Sequence, residues 1–140
     1  MEAAPQSVFS STLESRIESV EEAEESVHRF ARAAEIAEAD YYFIGLAVRE
    51  IVMNAVKHGN KFDPRKKVGL HISINDGKLS IEITDQGEGF TLDDVPDPLL
   101  PENRERDSGR GVLIAKKIMD EFSVTRSRDG MQVWMAKRLS

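Results

Sequence analysis

The chain has 140 residues, a length that suits one domain over 1–140 and can bury a substantial core. Hydrophobic residues make up 40% and charged residues 31%, an ordinary globular balance, and the lack of cysteine excludes disulfides and thiolate metal sites. A formal net charge of -6, from 19 Lys and Arg against 25 Asp and Glu, argues against general nucleic-acid binding, which needs a basic footprint.

No apolar run approaches the ~20 residues of a membrane span. Met1 to Ser10 lacks the basic start and apolar stretch of a secretory signal. The expectation is a cytoplasmic protein with no membrane attachment. Val8 to Leu13 reads as a short edge strand. Ile17 to Ala39 reads as one helix, with Ile17, Val20, Val27, Phe30, Ala31 and Ala34 near helical spacing and an acidic, solvated face at Glu21, Glu22, Glu24 and Glu25. Asp40 is placed to cap a second helix, from Tyr41 to about His58, which Gly59 stops. Two alternating runs follow, Val68-Leu70-Ile72-Ile74 and Leu79-Ile81-Ile83, joined at Asn75-Asp76-Gly77, a hairpin turn signal. Thr91 to Ser108, with Pro96, Pro98, Pro101 and a charged run, reads as a long loop of the kind that closes over a ligand. Gly111 to Glu121 reads as a third helix. Phe122 to Arg126 and Met131 to Lys137 read as a closing hairpin around Asp129-Gly130. The order points to an α+β two-layer sandwich, helices on one face of a mostly antiparallel mixed sheet.

Three groups of residues bear on chemistry. At about 100° per residue, Glu50, Asn54 and Lys57 fall within roughly 60° of one another on the second helix, opposite the apolar stripe Ile44-Val48-Ile51-Val52-Ala55. A carboxylate accepts a proton, an amide oxygen suits a hard cation such as Mg²⁺, and an ammonium meets a phosphate. The plain alternative is a wet helix face. Asp85 continues the inward phase of Leu79, Ile81 and Ile83, so it needs a partner to offset burial, and a ligand amino group is one. Gly87 and Gly89 follow at once and allow a sharp turn and close approach to a ligand; the alternative is a strand-ending turn. Ser108-Gly109-Arg110-Gly111 precedes the third helix, where free N–H groups attract anions. His28, His58 and His71 read as structural, without the context of a phosphoacceptor.

Glu50-x-x-x-Asn54 on a helix, Asp85-x-Gly87-x-Gly89 after a strand, and Gly109-x-Gly111 before a helix together resemble the Bergerat ATP site of the GHKL superfamily. Asn54-Ala55-x-x-His58-Gly59-Asn60 and Gly111-Val112-Leu113-Ile114 are similar to the anti-sigma-factor serine kinases of bacteria, and the resemblance covers nearly the whole chain. It implies the Bergerat fold, ATP and Mg²⁺. Asn54 would ligate Mg²⁺, and Lys57 would meet phosphate. Asp85 would accept a hydrogen bond from the adenine amino group, with Gly87 and Gly89 shaping the pocket. Gly109 and Gly111 would offer N–H groups to phosphate beside Arg110, and Glu50 would act as general base on a serine hydroxyl.

The same resemblance implies the partners: an anti-anti-sigma (STAS) protein as substrate, a sigma factor held in check, and a second copy of the chain in a homodimer. Two positions depart from the pattern. Met131 stands where relatives often carry Thr, and Asp107 where some carry Arg, with Arg106 and Arg110 nearby. A nucleotide-gated binding module without phosphoryl transfer, or the catalytic half of a split histidine kinase, are the alternative readings.

Overall fold

Strict alternation along the strands decides which sheet face is buried. In a computed structural model, residues 8–87, 107–127 and 130–139 are described. The strands are β1 (Val8–Glu14), β2 (Lys67–Asn75), β3 (Lys78–Thr84), β4 (Glu121–Ser127) and β5 (Gly130–Arg138). They form one sheet in the order β1-β2-β3-β5-β4, and every pairing is antiparallel. One inward row, Phe9-Ile72-Ile81-Met135-Phe122, runs across all five strands, as does the outward row Ser10-His71-Glu82-Trp134-Ser123. The turn Asp76-Gly77 has positive φ at both residues (55° and 74°), the geometry of a type I′ hairpin and the reason its sequence carries glycine.

Helices α1 (Glu18–Ala33), α2 (Glu38–Asn54) and α3 (Asp107–Ile118) cover the inward face. Ala23 and Val27 of α1, Ile44, Val48 and Ile51 of α2, and Val112 and Ala115 of α3 join Leu70, Ile72, Ile81 and Met135 in a single core. The α+β two-layer arrangement follows from these two patterns, period 2 in the strands and 3.6 in the helices.

The boundaries of all three helices differ from the sequence expectation. Ile17 to Ala39 is not one helix. It breaks after Ala33, where Glu35 adopts φ 60°, its N–H donates to Arg32 O and that of Ile36 donates to Ala31 O. This is a Schellman close, usually marked by glycine; glutamate in that position hid it. The second helix starts at Glu38 rather than Tyr41, with Ala37 as its uncapped flank, so Asp40 sits in the first turn, where its charge favours the helix dipole. Its α-helical part ends at Asn54 and a π turn, Ala55–Gly59, carries the chain on to Gly59. The third helix begins at Asp107, not Gly111, and ends at Ile118, three residues short of Glu121.

The loop read from Thr91 lies outside the described residues up to 106, and with it Gly89 and Arg106. No helix among the described residues is long and apolar enough to cross a membrane.

Burial sets the cost of substitution. Ile81 is fully buried on the central strand β3, whereas Tyr42 is 53% exposed on α2. Ile81→Ala is expected to lower the unfolding free energy by about 2–5 kcal/mol. Tyr42→Ala should change it by about 0.5 kcal/mol or less, as surface changes do. Urea unfolding followed by circular dichroism checks both; equal losses would contradict the assignment of the core.

Candidate functional site: a bipartite cleft between α2 and α3

The carboxylate of Asp85 is buried and held by the backbone. The strand β3 ends one residue before it, so it keeps the inward phase and is 5% exposed. Its own N–H donates to Met131 O at 2.9 Å. Its Oδ1 accepts two backbone N–H groups, from Gly87 at 3.0 Å and from Met131 at 3.2 Å. Oδ2 lies so close over Gly59 that a Cβ there would strike it. Gly130, at φ 141°, passes so close to Asp85 O that a side chain has no room, and Gly87 crosses Gly59 just as tightly. Burial pushes the Asp85 carboxyl above its ordinary range, while the N–H groups of Gly87 and Met131 and the charge of Lys66 pull the other way.

Asn60 fixes the turn from behind. It is 1% exposed, at the end of the π turn. Its Oδ1 accepts the N–H of Gln86 at 2.7 Å, and its Nδ2 donates to Ser15 Oγ at 2.8 Å and to Lys67 O at 3.0 Å. Gln86 Oε1 in turn accepts the N–H of Lys67 at 2.5 Å.

Two spaces open from this framework and share Asn54. The first is a narrow apolar pocket lined by Ile51, Ala55, Ile83, Val112, Met131 and Val133, with Asp85 as its acid and Asn54 at its border. The second is an open cleft of about 340 Å³ lined by Glu50, Asn54, Lys57, His58, Gly111 and Ile114. Glu50, Asn54 and Lys57 thus share one cleft, as their helical spacing predicts. The face is not simply wet, because Asn54 is 6% exposed and its Nδ2 is buried without a hydrogen-bond partner. A buried amide in that state calls for an external group, and its oxygen and nitrogen ends exchange by a simple flip.

The glycines of the third motif take different places. Because α3 starts at Asp107, Gly109 lies in its first turn, where N–H groups lack an in-helix acceptor, whereas Gly111 falls one turn further in. Gly111 is the crossing point of α3 on α2: a Cβ there would meet Glu50 Oε2 at 3.1 Å and Asn54 Nδ2 at 3.6 Å. Arg110 follows Gly109 on the helix backbone.

His58, read as structural, borders the polar cleft. His71 shares a 2.7 Å hydrogen bond with Ser10 Oγ on the open sheet face, and His28 packs against Tyr41 at 5.2 Å between ring centres; neither lines the cleft. Met131 lines the apolar pocket while its backbone holds Asp85. Gly59 and Asn60 stand in the motif Asn54-Ala55-x-x-His58-Gly59-Asn60, which gave them no role of their own, and Gly130 was read only as a turn residue.

The raised proton affinity of Asp85 has a stability consequence. Its contribution is full below the unfolded-state value near 3.8 and is lost as pH rises through the higher folded value. Asp85→Asn imitates the protonated form and keeps an oxygen for Gly87 and Met131. In the absence of nucleotide it should raise the urea midpoint at pH 7, with the gain disappearing well below pH 3.8. A midpoint at pH 7 equal to or below that of the wild type would contradict the desolvated state assigned to Asp85.

Comparison with known proteins bears on this geometry. The chain is 33% identical over 100 residues to an anti-sigma F factor of Oceanobacillus iheyensis, covering 69% of this chain and 68% of that protein. It is 31% identical over 126 residues to an anti-sigma F factor of Clostridium botulinum, covering 83% and 87%. The crystal structure of the RsbU and RsbW domains of a Mycobacterium tuberculosis protein superposes with a TM-score of 0.71 at 18% identity, over 97% of this chain and 33% of that one, a likeness of fold. Residues 13–137, from the end of β1 to the end of β5, match the model of the histidine kinase-like ATPase domain, and the chain belongs to that family.

Proposed function

We propose that this protein is an ATP-dependent serine-protein kinase that phosphorylates an anti-anti-sigma (STAS) partner and holds a sigma factor in check. The observation that carries the reading is the sharing of Asn54 between an apolar pocket ending at Asp85 and a polar cleft holding Glu50 and Lys57. A nucleotide has the same division, a flat apolar base at one end and phosphates at the other. The likeness to anti-sigma F factors supports the choice of partners. A homodimer and a cytoplasmic location belong to the same reading.

Each residue has a task set by its surroundings. Asp85, with Oδ1 occupied by two N–H groups, has Oδ2 left to accept from the adenine amino group. The apolar walls from Ile83, Met131 and Val133 exclude water from the ring. Gly87 keeps the turn thin where it crosses Gly59. The pocket is narrow, so base insertion requires its walls to part. In the cleft, the Asn54 side-chain oxygen would suit a hard, oxygen-seeking cation once the amide turns that oxygen to the position held by the unpartnered Nδ2, which as a donor would itself meet a phosphate or water oxygen. Bound there, Mg²⁺ supplies charge neutralisation for the phosphates. Lys57 adds a cation, and the start of α3, with Gly109 and Arg110 in its first turn, would add backbone N–H groups. Gly111 keeps the space between α3 and Glu50 open.

Glu50 is the general base. As the serine oxygen bonds to the terminal phosphorus, Glu50 takes the hydroxyl proton. The bond from that phosphorus to the bridging oxygen breaks, and the electron pair leaves with ADP. Such transfer is mainly a matter of positioning and charge.

Two outcomes test this assignment. Glu50→Gln keeps size and packing but removes the base. Transfer of labelled phosphate from ATP to a STAS serine should fall about 10²–10⁴-fold with nucleotide affinity retained. Equal silence of wild type and variant with cognate partners would leave only a nucleotide-gated binder. Asn54→Ala should abolish the gain in ATP affinity on adding Mg²⁺ while the fold is kept, as read by calorimetry with and without the metal; an unchanged gain would remove Asn54 from the metal site.

A further inference from the structure

We infer that Asn60 is a positioning residue for base recognition: it holds the Asp85–Gly87 turn at the depth where the Asp85 carboxylate meets the base. The inference rests on the nucleotide reading above and adds to it a residue that touches neither base nor phosphate.

Asn60 is buried, and its amide is satisfied at both ends by backbone or side chain from three separate segments. Its Nδ2 is anchored in the rigid part of the fold. One partner is Ser15 Oγ, in the connection from β1 to α1, and that hydroxyl itself donates to Lys66 O at 2.5 Å. The other is Lys67 O at the start of β2. The opposite end, Oδ1, holds the N–H of Gln86 at 2.7 Å, the peptide directly after Asp85. Gln86 N–H has no strand partner to replace Asn60, because β3 ends at Thr84.

The Asp85–Gly87 turn is therefore held from two sides. Met131 grips it through backbone bonds to Asp85, and Asn60 grips it through Gln86. Loss of the second grip frees the turn to move relative to Gly59, which lies directly under Asp85 Oδ2 and Gly87. A displacement of a few tenths of an ångström there misplaces the acceptor but leaves Glu50, Lys57 and the start of α3 untouched, since those belong to a different cleft. The two ends of Asn60 have separable roles: Nδ2 serves the fold, and Oδ1 serves the turn.

The test compares Mg²⁺-ADP with Mg²⁺-tripolyphosphate, which lacks the base, by calorimetry on the full chain. Three proteins are used: wild type, Asn60→Ala and Asn60→Asp. Asn60→Ala should lose about 5–100-fold in ADP affinity, the cost of a stranded buried polar group, with tripolyphosphate affinity within twofold of wild type. Asn60→Asp loses the donor end but keeps an acceptor for Gln86 N–H. It should be less stable to urea yet recover most of the ADP affinity lost in the Ala variant. If the Ala variant does not fold at 10 °C, Asn60→Ser, too short to reach Gln86, replaces it. ADP affinity unchanged in the folded Ala or Ser variant overturns the inference, as does an equal loss for ADP and tripolyphosphate, or an Asp variant no better than Ala. A wild type that binds neither ligand overturns the nucleotide reading itself.

Discussion

A carboxylate taken out of water and held by two backbone N–H groups is the constraint around which the site is arranged. Asp85 is 5% exposed, and desolvation opposes its charge more strongly than Gly87, Met131 and Lys66 support it. The fold accepts that cost at the point where β3 ends, β5 begins and the π turn after α2 passes underneath. Three glycines, 59, 87 and 130, exist there because a methyl group at any of them would strike Asp85 or the neighbouring backbone. One oxygen of the acid is consumed in holding the turn. The other oxygen packs over Gly59; in the proposed function it is the one that accepts from the base, and a buried acceptor discriminates strongly against partners unable to donate to it.

The second half of the site depends on α2 continuing past Asn54 in an altered winding. An α-helix that ended at Asn54 would leave Lys57 and His58 to a loop. The π turn Ala55–Gly59 keeps them on a helical surface beside Glu50 and brings Gly59 and Asn60 under the Asp85 turn. π turns of a single winding frequently occur at functional sites. Here the extra residue per turn re-aims the chain so that one helix serves both the polar cleft and the apolar pocket. Asn54, at the junction, borders both.

The strands were legible because their signal is local. Alternation over Val68–Ile74 and Leu79–Ile83 and the turn at Asp76-Gly77 have one reading, and the structure follows it. The three helices were legible in kind but not in extent. Glu35 closes α1 in a conformation that glycine normally announces, so 17–39 read as continuous. Asp107-Ser108-Gly109-Arg110 reads as a loop because glycine weakens helices, yet it winds as the first turn of α3, whose packing on α2 outweighs propensity.

The placement of Glu50 and Asn54 on one cleft and of Asp85 on the inward side after β3 was legible from spacing and phase. The contacts of Asn60 were not, although it ends the motif that begins at Asn54, because they reach residues 15, 67 and 86, which no local pattern encodes. The central claim is that Asp85 reads an amino group on the base. The most direct measurement is calorimetry of the wild type with Mg²⁺-ATP against Mg²⁺-ITP, whose base carries a carbonyl in place of that amino group. The account predicts that ATP binds and that ITP binds about 5–100-fold more weakly; equal affinities for the two would contradict it.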